Sequence, residues 1–396
     1  MRILLLFFII YSLRADVIFQ DSTVFINANS IYQAESREYS KASIEYWNTF
    51  NKDNFHLDLD LQAYSFDKDV PNNKNISLNY GAKNSVSINT LMVSYNNDKF
   101  GLYAGIIPFK GGEFTQLKSS EIQGGNGIEL LTDQVFEGVF LSYKPESNLE
   151  FIIGGAYWQT WYNYNSLDQK NDGSKGIFFL SKYRENKNYF EFNYFNVNVL
   201  DKLNNKVIDF GNLQLFGLGY IFDDSMYSGF KFWAEFGLSI SQENIQSVVK
   251  AEVPNYSQNM NKYLIRKGYS IKNDTTIGDA YILGISKDFE MFDIINTIGF
   301  EYYKTYNGWE SMNSGTLFNS NNSYWEVRDG DQKTIFIETQ FNNHIVTDIS
   351  VSNESSNEVP KYFSASQSES INKSPLGKTY FYTIVNKIYF TLTYKF

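Results

Sequence analysis

The chain contains many segments of about ten residues in which apolar and polar side chains alternate. In the clearest of them, residues 55–63, the odd positions are apolar and the even positions carry His56, Asp58, Asp60 and Gln62. Successive side chains of a β-strand point to opposite faces, so each segment predicts a strand with one apolar and one polar face. The predicted strands are 24–33, 40–50, 55–66, 85–95, 99–107, 135–143, 149–159, 176–183, 189–198, 212–222, 229–240, 276–288, 292–304, 332–341, 345–353 and 379–396.

The connections between these strands alternate between short and long from the second strand onward. Short turns on one side and long loops on the other are typical of membrane barrels, where the turns are periplasmic and the loops extracellular. The pattern predicts an all-β fold, a transmembrane antiparallel β-barrel of about 16 strands with 18 as the alternative, and both chain ends on the short-turn side. The long links are 67–84, 108–134, 160–175, 199–211, 241–275, 305–331 and 354–378.

The end of the chain alternates strictly. This ending resembles the last strand of bacterial outer-membrane barrels, which typically closes on an aromatic residue that the barrel-assembly machinery reads. The resemblance implies that the barrel-assembly machinery is a partner; an ordinary buried edge strand is the alternative. The residues of the implied assembly signal are Phe390, Leu392, Tyr394 and Phe396.

The beginning of the chain has the features of a secretory signal peptide. Arg2 precedes an apolar run over residues 3–11, and Ala15 offers a small residue for cleavage. The run is shorter than the roughly 20 apolar residues that a membrane-spanning helix needs. We therefore expect a signal peptide over 1–15 and one barrel domain over 16–396. An N-terminal anchor and a buried strand are the alternatives.

The composition agrees with a barrel and narrows the possible partners. Hydrophobic residues make up 43% and the mean hydropathy is -0.35, with no later apolar run that could span a membrane as a helix. Aromatic residues reach 18%, which suits rings of aromatic side chains at two lipid interfaces. The chain has no cysteine, which excludes disulfides and cysteine-based metal sites. The net charge of -10 disfavours nucleic acid and favours cations in a pore.

Catalytic chemistry has little support in the sequence. The two histidines, His56 and His344, are far apart in the chain and lack the spacing of metal ligands. Neither a nucleophile elbow nor a phosphate-binding glycine loop occurs. We therefore predict that the protein is not an enzyme and has no catalytic residues, cofactor or metal.

The link 108–134 combines glycines, aromatic residues and carboxylates, and begins Pro108-Phe109-Lys110-Gly111-Gly112-Glu113-Phe114. It resembles the third loop of general diffusion porins, and the segment 136–138 resembles OprD-like porins and porins of Campylobacter and its relatives. The resemblance implies a loop that folds into the barrel and narrows it. The candidate constriction residues are Glu113, Glu121, Glu129 and Asp133, with Lys110 and Lys118 at the rim.

Strand parity indicates which polar side chains would line the interior of such a barrel. Asp58 and Asp60 are the most constrained, because a carboxylate that faces lipid costs several kcal/mol. A one-residue bulge would move the side chains of a strand to the opposite face. The candidate wall residues are Lys41, Glu45, His56, Asp58, Asp60, Lys231, Glu235, Glu301, Glu338 and Asp348.

These observations favour an outer-membrane porin of a Gram-negative bacterium, a water-filled channel for passive diffusion of ions and small hydrophilic solutes with a cation bias. The resemblance implies outer-membrane lipid and lipopolysaccharide as surroundings, and a homotrimer. Three alternatives stay open. They are a surface adhesin or structural barrel whose loops 241–275 and 305–331 bind a partner, an outer-membrane enzyme, and a soluble secreted β-protein.

Overall fold

A computed structural model shows an all-β molecule. Within the described residues there is no helix that is long and apolar enough to cross a membrane. The structure describes residues 18–33, 37–66, 84–109, 131–157, 175–203, 206–243, 275–292, 294–306, 309, 312–313, 330–342, 345–356 and 383–395.

Segments rich in β-branched and aromatic residues form seventeen strands in the described part of the chain. In chain order they are β1 (Ile18–Gln33), β2 (Arg37–Lys52), β3 (Phe55–Phe66), β4 (Asn84–Asn96), β5 (Phe100–Phe109), β6 (Thr132–Glu146), β7 (Leu149–Tyr157), β8 (Lys175–Glu185), β9 (Asn188–Leu203), β10 (Lys206–Asp224), β11 (Phe230–Glu243), β12 (Thr275–Met291), β13 (Ile294–Tyr306), β14 (Met312–Asn313), β15 (Gly330–Gln340), β16 (Ile345–Ser356) and β17 (Thr383–Lys395).

Sixteen of these strands, all except the two-residue β14, form one antiparallel ring. Each pairs with its neighbours in the chain, and β13 pairs directly with β15. The ring closes because β1 pairs with β2 on one side and with β17 on the other, where Phe25 lies opposite Lys395. Because the ring is closed, the backbone N–H and C=O groups of both end strands have hydrogen-bond partners. A sheet that spans a membrane requires such pairing, since lipid offers no partners. The predicted antiparallel β-barrel is confirmed.

The two faces of the ring differ in burial and in chemistry. Apolar side chains such as Leu141, Ile153 and Ile337 point outward, with 56%, 54% and 44% of their surface exposed. The alternate residues lie on the opposite face, here called the inner face, where many polar side chains are buried. An apolar exterior with polar side chains inside is the arrangement expected of a barrel surrounded by lipid.

The predicted asymmetry of the connections is confirmed. One end of the ring carries short turns, such as residues 53–54 between β2 and β3 and residues 147–148 between β6 and β7. Both described ends of the chain lie at this short-turn end, because Ile18 pairs with Asn51 and Tyr394 pairs with Ile345. The strand ends that precede and follow the long links lie at the opposite end, which we call the long-loop end.

One of the predicted long loops is wrong. The sequence predicts a loop over 199–211, but β9 continues to Leu203 and β10 begins at Lys206, and these two residues are paired. Only residues 204 and 205, which lie outside the described residues, separate the two strands in the sequence. Leu203 before the link and Val207 and Ile208 after it favour strands, so the pairing extends where the polar residues suggested a loop.

Several predicted features lie outside the described residues. They include the signal peptide over 1–15 and most of the links 108–134, 241–275 and 305–331. The implied assembly signal lies largely in β17, whose backbone pairs with β1 and β16. Its role as a signal stays a prediction.

Candidate functional site in the barrel interior

The charged side chains that are buried on the inner face are carboxylates. Glu191, Glu235, Glu301, Glu338 and Asp348, from five different strands, are each at most 6% exposed. No lysine or arginine with a described side chain is buried to this degree. The fully buried charged side chains of the described interior are therefore carboxylates, on β9, β11, β13, β15 and β16, whereas Lys182, opposite Glu191, and Lys231 are half-buried on the same face.

Glu301 is held by a tryptophan two strands away. Trp233 Nε1 donates a hydrogen bond to Glu301 Oε2 at 3.1 Å, and both side chains are buried. Gly284 of β12 lies between them in the register, opposite each of the two. A Cβ at Gly284 would come within 1.9 Å of the Trp233 ring, so the missing side chain leaves the space that the indole occupies.

Glu191 is fixed by two side chains of its own strand. The Tyr189 hydroxyl donates to Glu191 Oε2, and Asn193 Nδ2 donates to Glu191 Oε1 at 2.9 Å. Residues two apart in a strand lie on the same face, which is why these three meet. Hydrogen bonds of this kind offset the cost of removing a carboxylate from water.

Two further carboxylates face each other across neighbouring strands. Glu338 of β15 lies directly opposite Asp348 of β16, and the two are 4% and 1% exposed. The Cβ atoms of residues that are directly opposite lie about 4.5–5.5 Å apart. This pair therefore places two carboxyl groups side by side on the inner face.

Near the short-turn end, β3 presents two polar side chains to the interior. Thr49 Oγ1 donates to Asp58 Oδ1 at 2.7 Å, and His56 Nδ1 donates to Asn51 Oδ1. Phe55, the residue before His56, is exposed and points outward. These contacts tie the inner face of β3 to that of β2.

Part of the interior is packed with aromatic side chains rather than lined by polar ones. The inner face of β5 to β9 carries five phenylalanines, each at most 2% exposed, which we call the aromatic cluster. The ring of Phe178 lies 4.9, 5.1, 5.7 and 5.8 Å from the rings of Phe136, Phe195, Phe109 and Phe140. Rings that faced open water would be exposed, so protein atoms cover these rings, as they cover the buried carboxylates of β9, β11, β13, β15 and β16.

Seven of the ten candidate wall residues have described side chains, and all seven lie on the inner face. They are His56, Asp58, Lys231, Glu235, Glu301, Glu338 and Asp348. Lys41, Glu45 and Asp60 lie within β2 and β3, and their side chains are not among those described. The role of these residues as the wall of a conducting pore stays a prediction.

Of the candidate constriction residues, Asp133 lies in a described strand, at the start of β6, where it pairs with Asn313 of β14. Phe109 and Leu131, on either side of residues 110–130, are 1% and 0% exposed and belong to the packed interior. The other candidates lie outside the described residues. They are Lys110, Glu113, Lys118, Glu121 and Glu129.

Sequence reasoning missed several interior residues. Glu191 follows the same alternation as the residues that were found, since Tyr189, Glu191 and Asn193 alternate with aromatic residues, so parity alone could have identified it. Phe178 could not be found in this way, because its segment, residues 177–180, is apolar on both faces. No metal site is apparent either: in the part of the chain that the structure describes, no group of three or more His, Asp or Glu side chains is arranged to hold an ion.

Compared by sequence, the chain matches no protein-family model and no curated protein. Compared by structure, it is similar to OprB of Pseudomonas putida, with a TM-score of 0.57 and 8% identity over 95% of this chain and 94% of that chain. The outer membrane channel DcaP of Acinetobacter baumannii has a TM-score of 0.54 and 9% identity over 95% and 96% of the two chains. An anion-selective porin from Comamonas acidovorans has a TM-score of 0.51 and 8% identity over 95% and 99%.

These similarities extend over almost the whole of each chain, whereas the identities are low. They show a shared fold, and the closed antiparallel ring shows the same fold independently. The chain is a transmembrane β-barrel of the outer-membrane type.

Proposed function

We propose that this protein is an outer-membrane porin, through which ions and small hydrophilic solutes diffuse passively. The observation that carries the proposal is the closed ring of strands with apolar side chains outside and polar side chains inside. A ring of about sixteen strands is wide enough to enclose an aqueous channel. DcaP, an outer membrane channel, and the Comamonas porin share this fold, which supports the same role here.

The proposed channel prefers cations. Support comes from the buried carboxylates of the inner face, including Glu235 and Glu338, and from the absence of a lysine or arginine buried to the same degree among the described side chains. Rings of carboxylates favour cations in a pore. The fold does not determine the sign of the selectivity, since the Comamonas porin is anion-selective. The predicted constriction residues Glu113 and Glu121 would add to the bias.

The same proposal includes the surroundings of the protein. Outer-membrane lipid and lipopolysaccharide contact the apolar outer face, and the barrel-assembly machinery inserts the chain by reading the end of β17. The assembly is a homotrimer. No catalytic activity is part of the proposal.

The packed interior favours one other candidate function, a closed barrel that serves as a surface adhesin or structural protein. The observation that favours this alternative is the aromatic cluster. Its five rings leave no water-filled space at that part of the wall. Such a protein would bind its partner through the long loops and would not conduct.

Planar-bilayer recording of the detergent-purified protein under a KCl gradient tests the proposal. We expect stepwise conductance with a reversal potential of the cation-selective sign. Glu235→Gln, Glu338→Gln, Glu113→Gln and Glu121→Gln should each move that potential toward zero. The matched control is Glu185→Gln, because Glu185 is an exposed carboxylate on the outer side of β8 next to a short turn.

Each result of the recording has a defined meaning. Conductance steps with anion selectivity would uphold the channel and contradict the proposed preference for cations. If the protein migrates on a gel as a folded, heat-modifiable barrel and still gives no conductance steps, the channel proposal is wrong. In that case the adhesin or structural role takes its place.

A further inference from the structure

We infer that the part of the chain just after β13 that carries Trp309 and the short strand β14 turns into the barrel and docks on the start of β6, where it narrows the interior. The sequence predicted an inward loop only at 108–134, after β5. The second element is β14, whose residues Met312 and Asn313 pair with Thr132 and Asp133. The narrowing of a pore by β14 rests on the proposed channel function. The docking of β14 on β6 does not depend on that function.

The first argument is the place of the two strands in the ring. β6 and β13 are seven places apart in a ring of sixteen, so they lie on nearly opposite walls. Tyr306 ends β13, and six residues later Met312 is paired with β6. Six residues span at most about 20 Å even when they are fully extended. Seven strands spaced about 4.8 Å apart cover more than this, so a route along the wall is too long.

The second argument is the direction of β14. Strands alternate in direction around the ring, so β13 runs toward the long-loop end and β6 runs back from it. β14 is parallel to β6 and therefore also runs from the long-loop end inward. The reversal is local, since the backbone N–H of Trp309 donates to the carbonyl of Tyr306 at 3.1 Å. A segment that turns at once and runs parallel to the start of β6 is directed into the barrel rather than away from it.

The third argument is burial. Trp309 is 2% exposed and belongs to the same buried apolar set as Phe109 and Leu131, which flank the predicted inward loop. A tryptophan on a loop above the membrane would be in contact with water. Its burial in this set supports a position of Trp309 inside the ring.

The fourth argument is that β6 offers a free edge at this point. The last pair of β5 with β6 is Phe109 with Gln134, and the last described pair of β7 with β6 is Tyr157 with Glu137. Thr132 and Asp133 thus extend past both described neighbours. A strand that projects in this way presents unpaired backbone groups, which β14 satisfies.

Cross-linking tests the docking directly, because the natural chain has no cysteine. Paired residues in adjacent strands lie about 4.8 Å apart, within the range of about 4.4–6.8 Å that a disulfide spans. We expect the double variant Asp133→Cys/Asn313→Cys to form a disulfide under mild oxidation of the folded barrel. After heating without reductant, the cross-linked chain should run faster on a denaturing gel, and reductant should restore the normal mobility.

The control is Asp133→Cys/Asn353→Cys, which should not cross-link, because Asn353 lies near the long-loop end of β16 and pairs with Lys333. If the first double variant does not fold, Thr132→Cys/Met312→Cys reports the same pairing. The absence of a cross-link in a folded barrel would overturn the inference. Equal cross-linking of the control would overturn it too, because the reaction would not depend on the pairing.

A conductance measurement then tests the effect on the pore. Trp309 Nε1 has no hydrogen-bond partner among the described residues, so Trp309→Phe keeps the anchoring ring without losing a bond. Trp309→Phe should conduct like the natural protein, whereas Trp309→Ala should conduct more and admit larger polymers. Unchanged conductance of Trp309→Ala would overturn the narrowing. Cross-linking without any conductance would uphold the docking and contradict the channel.

Discussion

Trp233 on β11 reaches Glu301 on β13 by lying across the strand between them. The indole Nε1–H donates to Glu301 Oε2 at 3.1 Å, and the ring occupies the place where a side chain at Gly284 would stand. One hydrogen bond therefore links β11 to β13 on the inner face, and the absence of a side chain at Gly284 of β12 leaves room for it.

We expect Gly284→Val to destabilise the barrel, because its Cβ would lie 1.9 Å from the Trp233 ring and would displace it. Overpacking of this kind costs about 1–3 kcal/mol. The measurement is the free energy of unfolding in detergent, from a urea titration followed by circular dichroism. Gly155→Ala is the control, since its Cβ would meet only the Gly176 carbonyl oxygen at 3.7 Å. Equal stability of Gly284→Val and the natural protein would contradict the packing described.

A double-mutant cycle isolates the hydrogen bond itself. Trp233→Phe removes the donor, Glu301→Leu removes the acceptor, and the double variant removes both. A hydrogen bond to a charged group contributes about 1.5–3 kcal/mol, so we expect a coupling free energy of about that size. The same urea titrations supply it. Additive losses would mean that the two side chains do not interact.

Phe178 and Phe179 provide a comparison between neighbouring residues on opposite faces. Phe178 is fully buried among four other rings, so Phe178→Ala should cost about 3–5 kcal/mol of unfolding free energy. Phe179 lies on the outer face, next to Phe151 and Phe192, and Phe179→Ala should cost clearly less. The unfolding midpoints of the two variants in urea decide between these expectations. A larger loss for Phe179→Ala would mean that the inner face is not the packed one.

The outer face should tolerate no charge. Ile337 is an exposed apolar residue of β15, and arginine at the midplane of a bilayer costs a barrel about 2–4 kcal/mol. We therefore expect Ile337→Arg to lower the stability of the barrel refolded in lipid vesicles by that amount, and Ile337→Leu to change it little. An effect within about 0.5 kcal/mol, as at a water-exposed surface, would contradict contact with lipid at this position.

The sequence predicted those parts of the fold in which one face of a strand is polar. β3 covers residues 55–66 as predicted, because His56 and Asp58 alternate with apolar residues and leave one possible register. The same parity placed Glu235 and Glu338 on the inner face. In residues 177–180, by contrast, both faces are apolar, so alternation cannot distinguish lipid contact from packing against protein.

Contacts between segments that are distant in the chain could not be predicted from the sequence either. The pairing of Met312 and Asn313 with β6 joins two links on opposite walls, and neither residue belongs to an alternating segment. The hairpin around Asn204 was missed for the opposite reason. Its polar residues were interpreted as a loop, whereas cross-strand pairing extends the sheet as far as Leu203 and Lys206.

The pairing of Phe25 with Lys395 has a consequence for the order of events in biogenesis. Because the closing contact joins the first strand to the last, a partly synthesised chain has two open edges that can recruit other chains. Contacts of such large sequence separation also form slowly. We therefore expect the newly made polypeptide to depend on holdase chaperones until β17 is available, and loss of that strand to cause aggregation rather than a smaller barrel.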